Sequence, residues 1–487
     1  MKKFFILSIL CGLSVSLCAQ NKTAIKFGKT ISQKDLKARL AVIASDSLEG
    51  RNTGEPGQKK AAKYLQEQFE LMGLAPCVPT ASGKSYIQTY PIKKVSNRAG
   101  YMRRGEETKT NFEDYLFYSR QETMGEEFVD FLFAGNKRID ELKEMDLEGK
   151  FVAIISDELT NWRSASAQLE ELKAGGVLLI SEDRSRFEFM IARYGQSLKK
   201  PKITLEVNDS SNKIIIGTPE LAEWIFETPY EELKSNGLGK IGRVILNSDM
   251  LLEDLEAENV MGFIEGHTKP EEVLIISAHY DHIGVNEDGA INNGADDDGS
   301  GTTTVLELAE AFARAKKAGK GPYRSILFLL VSGEEKGLLG SKYYVNNPIF
   351  PIKNTVTNLN VDMVGRSDPN HEDKPPYVYV IGADRLSQEL HDISAAANET
   401  YTGIDLDYTY NDEKDPNRYY YRSDHYNFAK KGVPIIFYFN GTHADYHKPT
   451  DTIEKIEFEL MEKRAKLIYF TAWELANREN RVKLNLD

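Results

Sequence analysis

The sequence predicts an α/β protein: a mostly parallel mixed sheet with helices on both faces, interrupted by an inserted β-rich domain. Three observations predict it. From residue 259 onward, short apolar runs of strand length alternate with stretches of helical spacing, as in parallel strands joined by crossover helices. Between about 106 and 250 the character changes to closely spaced apolar strands with few helical stretches. The chain has 487 residues, too many for one ordinary core, so two units are expected, one interrupting the other. Hydrophobic content of 41% and charged content of 28% fit a soluble globular protein. A net charge of -13 without basic runs argues against nucleic acid and anionic membranes as partners.

In chain order, MKKFFILSILCGLSVSLCAQ has two lysines, an apolar run and a small residue near its end. It reads as a secretory signal peptide over residues 1–19, cleaved after Ala19, which implies a secreted or periplasmic protein. Lipid attachment at Cys18 is the lesser option, because Leu17 is larger than the small residue expected there. No later stretch offers the roughly 20 apolar residues of a membrane span. Of three cysteines, Cys11 and Cys18 lie in this leader. Only Cys77 remains, so the mature chain cannot form an internal disulfide.

A helix is expected early in residues 32–74. The polar turn SDSLEGRNTGEPGQ follows, then a helix over Lys59–Leu71 with Gly73 as its C-terminal cap. A strand is expected at Tyr86–Ile92. Residues 20–105 thus form the first part of the main domain, 106–250 the insert and 251–487 the rest of the main domain. In the insert, FVDFLFAG, GKFVAIIS, GGVLLISED, ITLEVN and KIIIGT read as strands and Ala165–Leu172 as a helix. Gly237-Leu238-Gly239-Lys240-Ile241-Gly242 matches the dinucleotide fingerprint only in letters. It lacks a preceding strand and a following helix.

From 259 onward, strands are predicted at NVMGFIEG, EVLIISA, SILFLLVS, NLNVDMVG, YVYVIGA and VPIIFYF. Helices are predicted at Thr302–Ala315, Ser341–Asn346, Arg385–Ala397 and Glu457–Arg478. All eight histidines fall after residue 260, so imidazole chemistry belongs here.

Metal-binding groups recur just past strand ends: His279 with Asp281, the run Asp296-Asp297-Asp298, Glu334-Glu335, Asp362, and His447. Buried carboxylates are costly unless paired or bound to metal. Imidazole and carboxylate donors suit zinc, and a two-zinc site needs one bridging carboxylate. An adjacent Glu-Glu pair can divide roles, one ligating and one moving a proton. Asp281 is placed to orient His279 through its far ring nitrogen. The triple-aspartate run fails the calcium-loop template, since Gly294 and Val305 occupy the first and last ligand positions. Asp296 and Asp298 are expected to support the loop. His282, His425 and His443 are expected to be pocket or rim residues. The tyrosines at 419–421 are expected to pack.

HYDHIG, GADDDGSG, SGEEKGLLGS, NVDMVG and DYHKPTD, in this order, resemble the di-zinc exopeptidases of the bacterial leucyl aminopeptidase and aminopeptidase Y type, metallopeptidase family twenty-eight. SDSLEGRNTGEPGQKKAAKYL and SDHYNFAKKGVP extend the resemblance, which covers about 20–105 and 255–487. It implies two zinc ions per chain. His279 and Asp362 would hold one, Glu335 and His447 the other, and Asp297 would bridge. Glu334 would be the general base, taking a proton from the attacking water and returning it to the leaving amine. Asp281 would orient His279. The insert resembles a protease-associated domain. The implied activity is a secreted aminopeptidase acting on peptides. A zinc glutaminyl cyclase, a carboxypeptidase on acidic C-termini that would need a basic pocket residue among Arg366, Arg418 and Arg422, and a non-catalytic binding protein on the same scaffold stay open. The sequence leaves oligomeric state undefined.

Overall fold

The computed structural model describes residues 20–97, 100–119, 125–156, 168–169, 171–205, 213–248, 250–372 and 376–485. The leader, Cys11 and Cys18, half of the helix expected at Ala165–Leu172 and the second half of ITLEVN lie outside these residues.

The chain forms two compact units, one of residues 1–90 with 257–487 and one of Pro91–Glu256. It passes between them along two long strands, β1 (Ile87–Asn97) and β2 (Met250–Ile264). The larger unit adds β3 (Lys269–His279), β4 (Arg324–Val331), β5 (Thr355–Val361), β6 (Tyr377–Ile381), β7 (Asp405–Asp407) and β8 (Ile435–Phe439). Their order across the sheet is β1-β2-β4-β3-β5-β8-β6-β7. The centre is parallel: β3 pairs with β4 and β5, and β5 with β8. Antiparallel pairing appears outside it, β2 on β4 and β6 on β8. This is the mostly parallel mixed sheet that the alternating pattern predicts.

The central strands are buried on both faces. Every residue of β4 and β5 is buried, which is why these segments read as continuous apolar runs. Two cores result. One packs Leu274, Ile276, Phe328 and Leu330 against helices α1 (Pro56–Met72), α2 (Gly301–Lys317) and α3 (Phe458–Asn477). The other packs Ile275, Leu327, Leu329 and Phe437 under Tyr344 and Phe428. Helix α1 starts with a proline in its first turn and ends at Gly73 with φ 76°, the asymmetry that fixes its length. Among the described residues no helix is long and apolar enough to cross a membrane.

The smaller unit has its own sheet, with parallel strands Glu126–Gly135, Phe151–Ile155, Gly176–Ile180 and Ile214–Gly217 at its centre. It also holds helices Arg184–Met190, Pro219–Phe226 and Tyr230–Asn236, more helix than its sequence suggests. At Gly237–Gly242 a helix leads into strand Ile241–Asn247, the reverse of a dinucleotide-binding turn.

Candidate metal centre

Parallel strands end at one edge of a sheet, and that is where open α/β sheets place ligands. Here β3 ends at His279, β4 is followed by Glu334-Glu335, β5 by Asp362, and β8 by the loop carrying His447. The run Asp296-Asp297-Asp298 leads into α2. The topology therefore gathers the residues that the sequence scatters over 169 positions, from 279 to 447.

Two groups form around Asp297. His279 Nε2 lies 3.3 Å from Asp297 Oδ1 and 3.5 Å from Asp362 Oδ1. His447 Nε2 lies 3.1 Å from both Asp297 Oδ2 and Glu335 Oε2. The two oxygens of Asp297 thus face different partners, as a bridging carboxylate requires. Glu334 Oε2 stands 4.0 Å from His279 Nε2, beside the first group.

The supports come from distant segments. The Asp281 carboxylate stands 3.7 Å from His279 Nδ1, in ion-pairing range but beyond hydrogen-bond reach. His279 Nδ1 instead approaches the Asp281 main-chain carbonyl at 3.1 Å. The Asp281 carboxylate accepts from Thr53 Oγ1 at 2.6 Å and from the Glu334 N–H at 3.2 Å. Ser423 Oγ donates to Asp362 Oδ2 at 2.6 Å and is itself held by Asn360. Asp298 accepts from the backbone N–H groups of His279, Gly301 and Met363, tying three elements together and capping α2. Asp296 accepts from Ser300 Oγ and the Gly365 N–H, and its other oxygen faces His443 at 3.1 Å. Asp296 and Asp298 are therefore loop supports, as expected. Asp451, which the sequence does not single out, accepts from the N–H groups of Asp296 and Asp297.

The three histidines expected to be pocket or rim residues are all buried. His425 packs fully inside, with its Nε2–H donating to the Tyr420 carbonyl at 2.8 Å. Burial pushes its pKa down to about 3. His443 is 8% exposed and serves Asp296. His282 is fully buried with its Nδ1 2.8 Å from Glu335 Oε1. The partners of His282 and His443 lie elsewhere in the chain, so spacing could not reveal this.

The electrostatics are those of a concentrated anionic site. Burial, opposed by His279 and reinforced by Glu335 and Asp362, holds the Glu334 carboxyl well above its ordinary range. Burial likewise raises Asp424 to about 7. Glu335 goes the other way, to about 2: burial opposes the shift, but His282 and His447 prevail. For His279 burial favours the neutral ring, yet Asp362 and Glu334 hold its pKa well above normal. The nearby buried cation is Arg51, whose guanidinium donates to the carbonyls of Ile43, Tyr280, Asn293 and Gly294. So many buried carboxylates need further positive charge.

The donors suit a metal pair. Donor atoms of His279, Asp297 and Asp362 lie within 4.8 Å of one another, and so do those of His282, Asp297 and Glu335. Glu335 Oε1 and both ring nitrogens of His282 are buried without a hydrogen bond. Nitrogen and carboxylate oxygen donors in this number fit zinc. Beside them is a cavity of about 40 Å³ that reaches Tyr419, Arg422, Phe437, Phe439 and Tyr446. A larger cleft of about 730 Å³, lined by His371, Glu457 and Lys463, contains none of these donors.

A family model described as peptidase family M28 matches residues 259–472. A probable leucine aminopeptidase of Arthroderma otae is 31% identical over 262 residues, covering 52% of this chain and 66% of that protein. Aminopeptidase YwaD of Bacillus subtilis is 27% identical over 235 residues, covering 47% of this chain and 46% of that protein. The chain thus aligns with just under two thirds of the first relative's length and about half of the second's. Among solved structures, an aminopeptidase from Aneurinibacillus sp. strain AM-1 superposes with a TM-score of 0.56 at 19% identity, over 95% of this chain and 98% of that chain. BSAP, described as a zinc aminopeptidase from Bacillus subtilis, superposes with a TM-score of 0.51 at 18% identity, over 92% of this chain and 96% of that chain. At these identities the superpositions establish the fold.

Proposed function

Residues 259–472 are a domain of peptidase family M28, and on that premise we propose that the chain is a zinc-dependent aminopeptidase releasing N-terminal residues from peptides. The observation that carries this reading is the pair of donor groups sharing Asp297. His279 and Asp362 would hold one zinc, and Glu335 and His447 the other. Zinc pairs polarise a carbonyl and ease the deprotonation of water at neutral pH.

The chain's own residues supply the rest. Glu334 is a carboxyl beside the first donor group, fixed through its backbone N–H by Asp281. It accepts the proton of the attacking water and returns it to the leaving amine. Added positive charge lowers its pKa and readies it as a base. Aromatic groups at Tyr419, Phe437 and Phe439 wall the cavity and exclude water from the reacting carbonyl. The leader over residues 1–19 supports export to the periplasm or beyond.

One observation keeps a second substrate class in view. Of the three arginines that could serve an acidic substrate, Arg366 pairs with Asp445 and Arg418 lies over Tyr421. Arg422 lines the cavity with its guanidinium over Tyr419, in ion-pairing range of no carboxylate among the described residues. A carboxypeptidase-like preference for a free carboxylate would use this group.

Profiling a peptide library with free and blocked termini, with and without chelator, tests the proposal. Chelator-sensitive release of N-terminal residues is expected, abolished by N-terminal acetylation. Cleavage that persists on acetylated peptides but needs a free C-terminus would replace the aminopeptidase reading with the carboxypeptidase one.

A further inference from the structure

We propose that His282 is an additional metal ligand, so that the ion at Glu335 and His447 has four protein donors while its neighbour keeps three. This rests on the two-metal reading above and concerns a residue outside the ligand set that the motifs imply.

Four observations carry it. His282 is 0% exposed, yet neither ring nitrogen has a hydrogen-bond partner among the described residues. Leaving a buried polar atom unpaired costs about 1–3 kcal/mol, so a fold that retains two such nitrogens implies another partner. The carboxylate oxygen it faces, Glu335 Oε1, is unpartnered as well. Nδ1 and Oε1 are 2.8 Å apart, but no hydrogen bond of acceptable direction joins them. Nδ1 also lies 3.9 Å from Asp297 Oδ2, the oxygen shared with His447. Donor atoms of His282, Asp297 and Glu335 therefore converge within 4.8 Å, the spacing of ligands around one ion.

The ring is held there from both sides. The His282 main-chain N–H donates to the Arg51 carbonyl at 3.3 Å, fixing the backbone that carries the ring. Behind the ring is Gly294, at φ 54°, where a Cβ would meet the imidazole at 2.6 Å. His447 stands at its edge, ring centroids 5.6 Å apart and nearly perpendicular. Two imidazoles and two carboxylates would then supply the four protein donors of a closed zinc site. The His279 side, with Asp297 and Asp362, keeps a position for substrate. The two ions become unequal: the His282 side loads first and the His279 side exchanges.

The full chain labelled with ¹⁵N-histidine and loaded with ¹¹³Cd²⁺ tests this directly. Three histidines should show coupling to cadmium, two of them to the same ion. Coupling from two histidines only would overturn the proposal, and because it is read in the unmutated protein no folding defect can obscure it. His282→Asn can still donate a hydrogen bond to Glu335 but is too short to ligate. It should lose one coupling and weaken the tighter site by more than the roughly 10–100-fold that loss of an outer hydrogen-bond partner brings. An unchanged coupling pattern would refute the assignment. A wild-type chain that binds no cadmium at either site would instead remove the two-metal reading itself.

Discussion

Glu334 and Glu335 are neighbours in sequence with opposite electrostatic fates. Burial raises the Glu334 carboxyl, and two histidines lower its neighbour to about 2. Glu334→Gln should therefore keep both zinc ions while turnover falls about 10²–10⁴-fold, the usual worth of a positioned base. Metal analysis beside steady-state kinetics checks this, and near-normal rates would contradict it. Asp451→Asn should act differently, because Asp451 holds the N–H groups of Asp296 and Asp297 rather than any reacting atom. A roughly 10–100-fold loss of zinc affinity is expected in a titration, and unchanged affinity would show that the Asp297 loop stands without it. His425 predicts a pH effect. Its pKa is about 3 in the fold against an ordinary 6.5, so the unfolded chain binds the extra proton. Its contribution is complete above 6.5 and is lost as pH falls toward 3. The stability difference between wild type and His425→Phe should shrink by on the order of 1 kcal/mol for each pH unit in that window. A difference constant between about pH 7 and pH 5 would contradict the assignment. Residues at this scale were legible in sequence where a polar group ends an apolar strand, as with His279, Glu334 and Asp362. Thr53, His282 and Asp451 were not, because each works through a partner far along the chain.

The elements explain why the donors converge. Strands β3, β4, β5 and β8 run parallel, so their carboxyl ends share one edge. Their burial on both faces made them readable as apolar runs, and α2 and α3 were readable from their spacing. The turn around Arg51 was not. SDSLEGRNTGEPGQ looks like a solvated loop, yet Arg51 is 0% exposed and anchors β3's end and the Asn293-Gly294 turn. Its acceptors are backbone carbonyls up to 243 residues away, which composition cannot signal. Arg51→Met should destabilise the larger unit by about 3–5 kcal/mol, because four main-chain carbonyls lose their donor, at about 1–3 kcal/mol for each left unpaired. Denaturant unfolding measures it, and a loss under about 1 kcal/mol would mean the turn is not part of the core.

At the scale of the molecule, two units with separate cores share one chain. The change in composition places the insert at about 106–250, whereas the compact unit spans Pro91–Glu256. The difference arises because β1 and β2 are continuous strands that cross the boundary, so no turn or linker marks it. All of the metal donors lie in the larger unit. Calorimetry should show two transitions, with zinc raising only one, by about 2.7 kcal/mol for each ion bound at a hundredfold excess over its Kd. A zinc-induced rise in both would show that the units unfold together.

The central claim is that Asp297 is shared by two metal ions. Anomalous diffraction at the zinc edge from crystals of the zinc-loaded protein tests it most directly. Two peaks should appear about 3.5–4 Å apart, one between His279 and Asp362 and one beside Glu335 and His447, with Asp297 between them. A single peak, or a pair of peaks not joined by Asp297, would contradict the account.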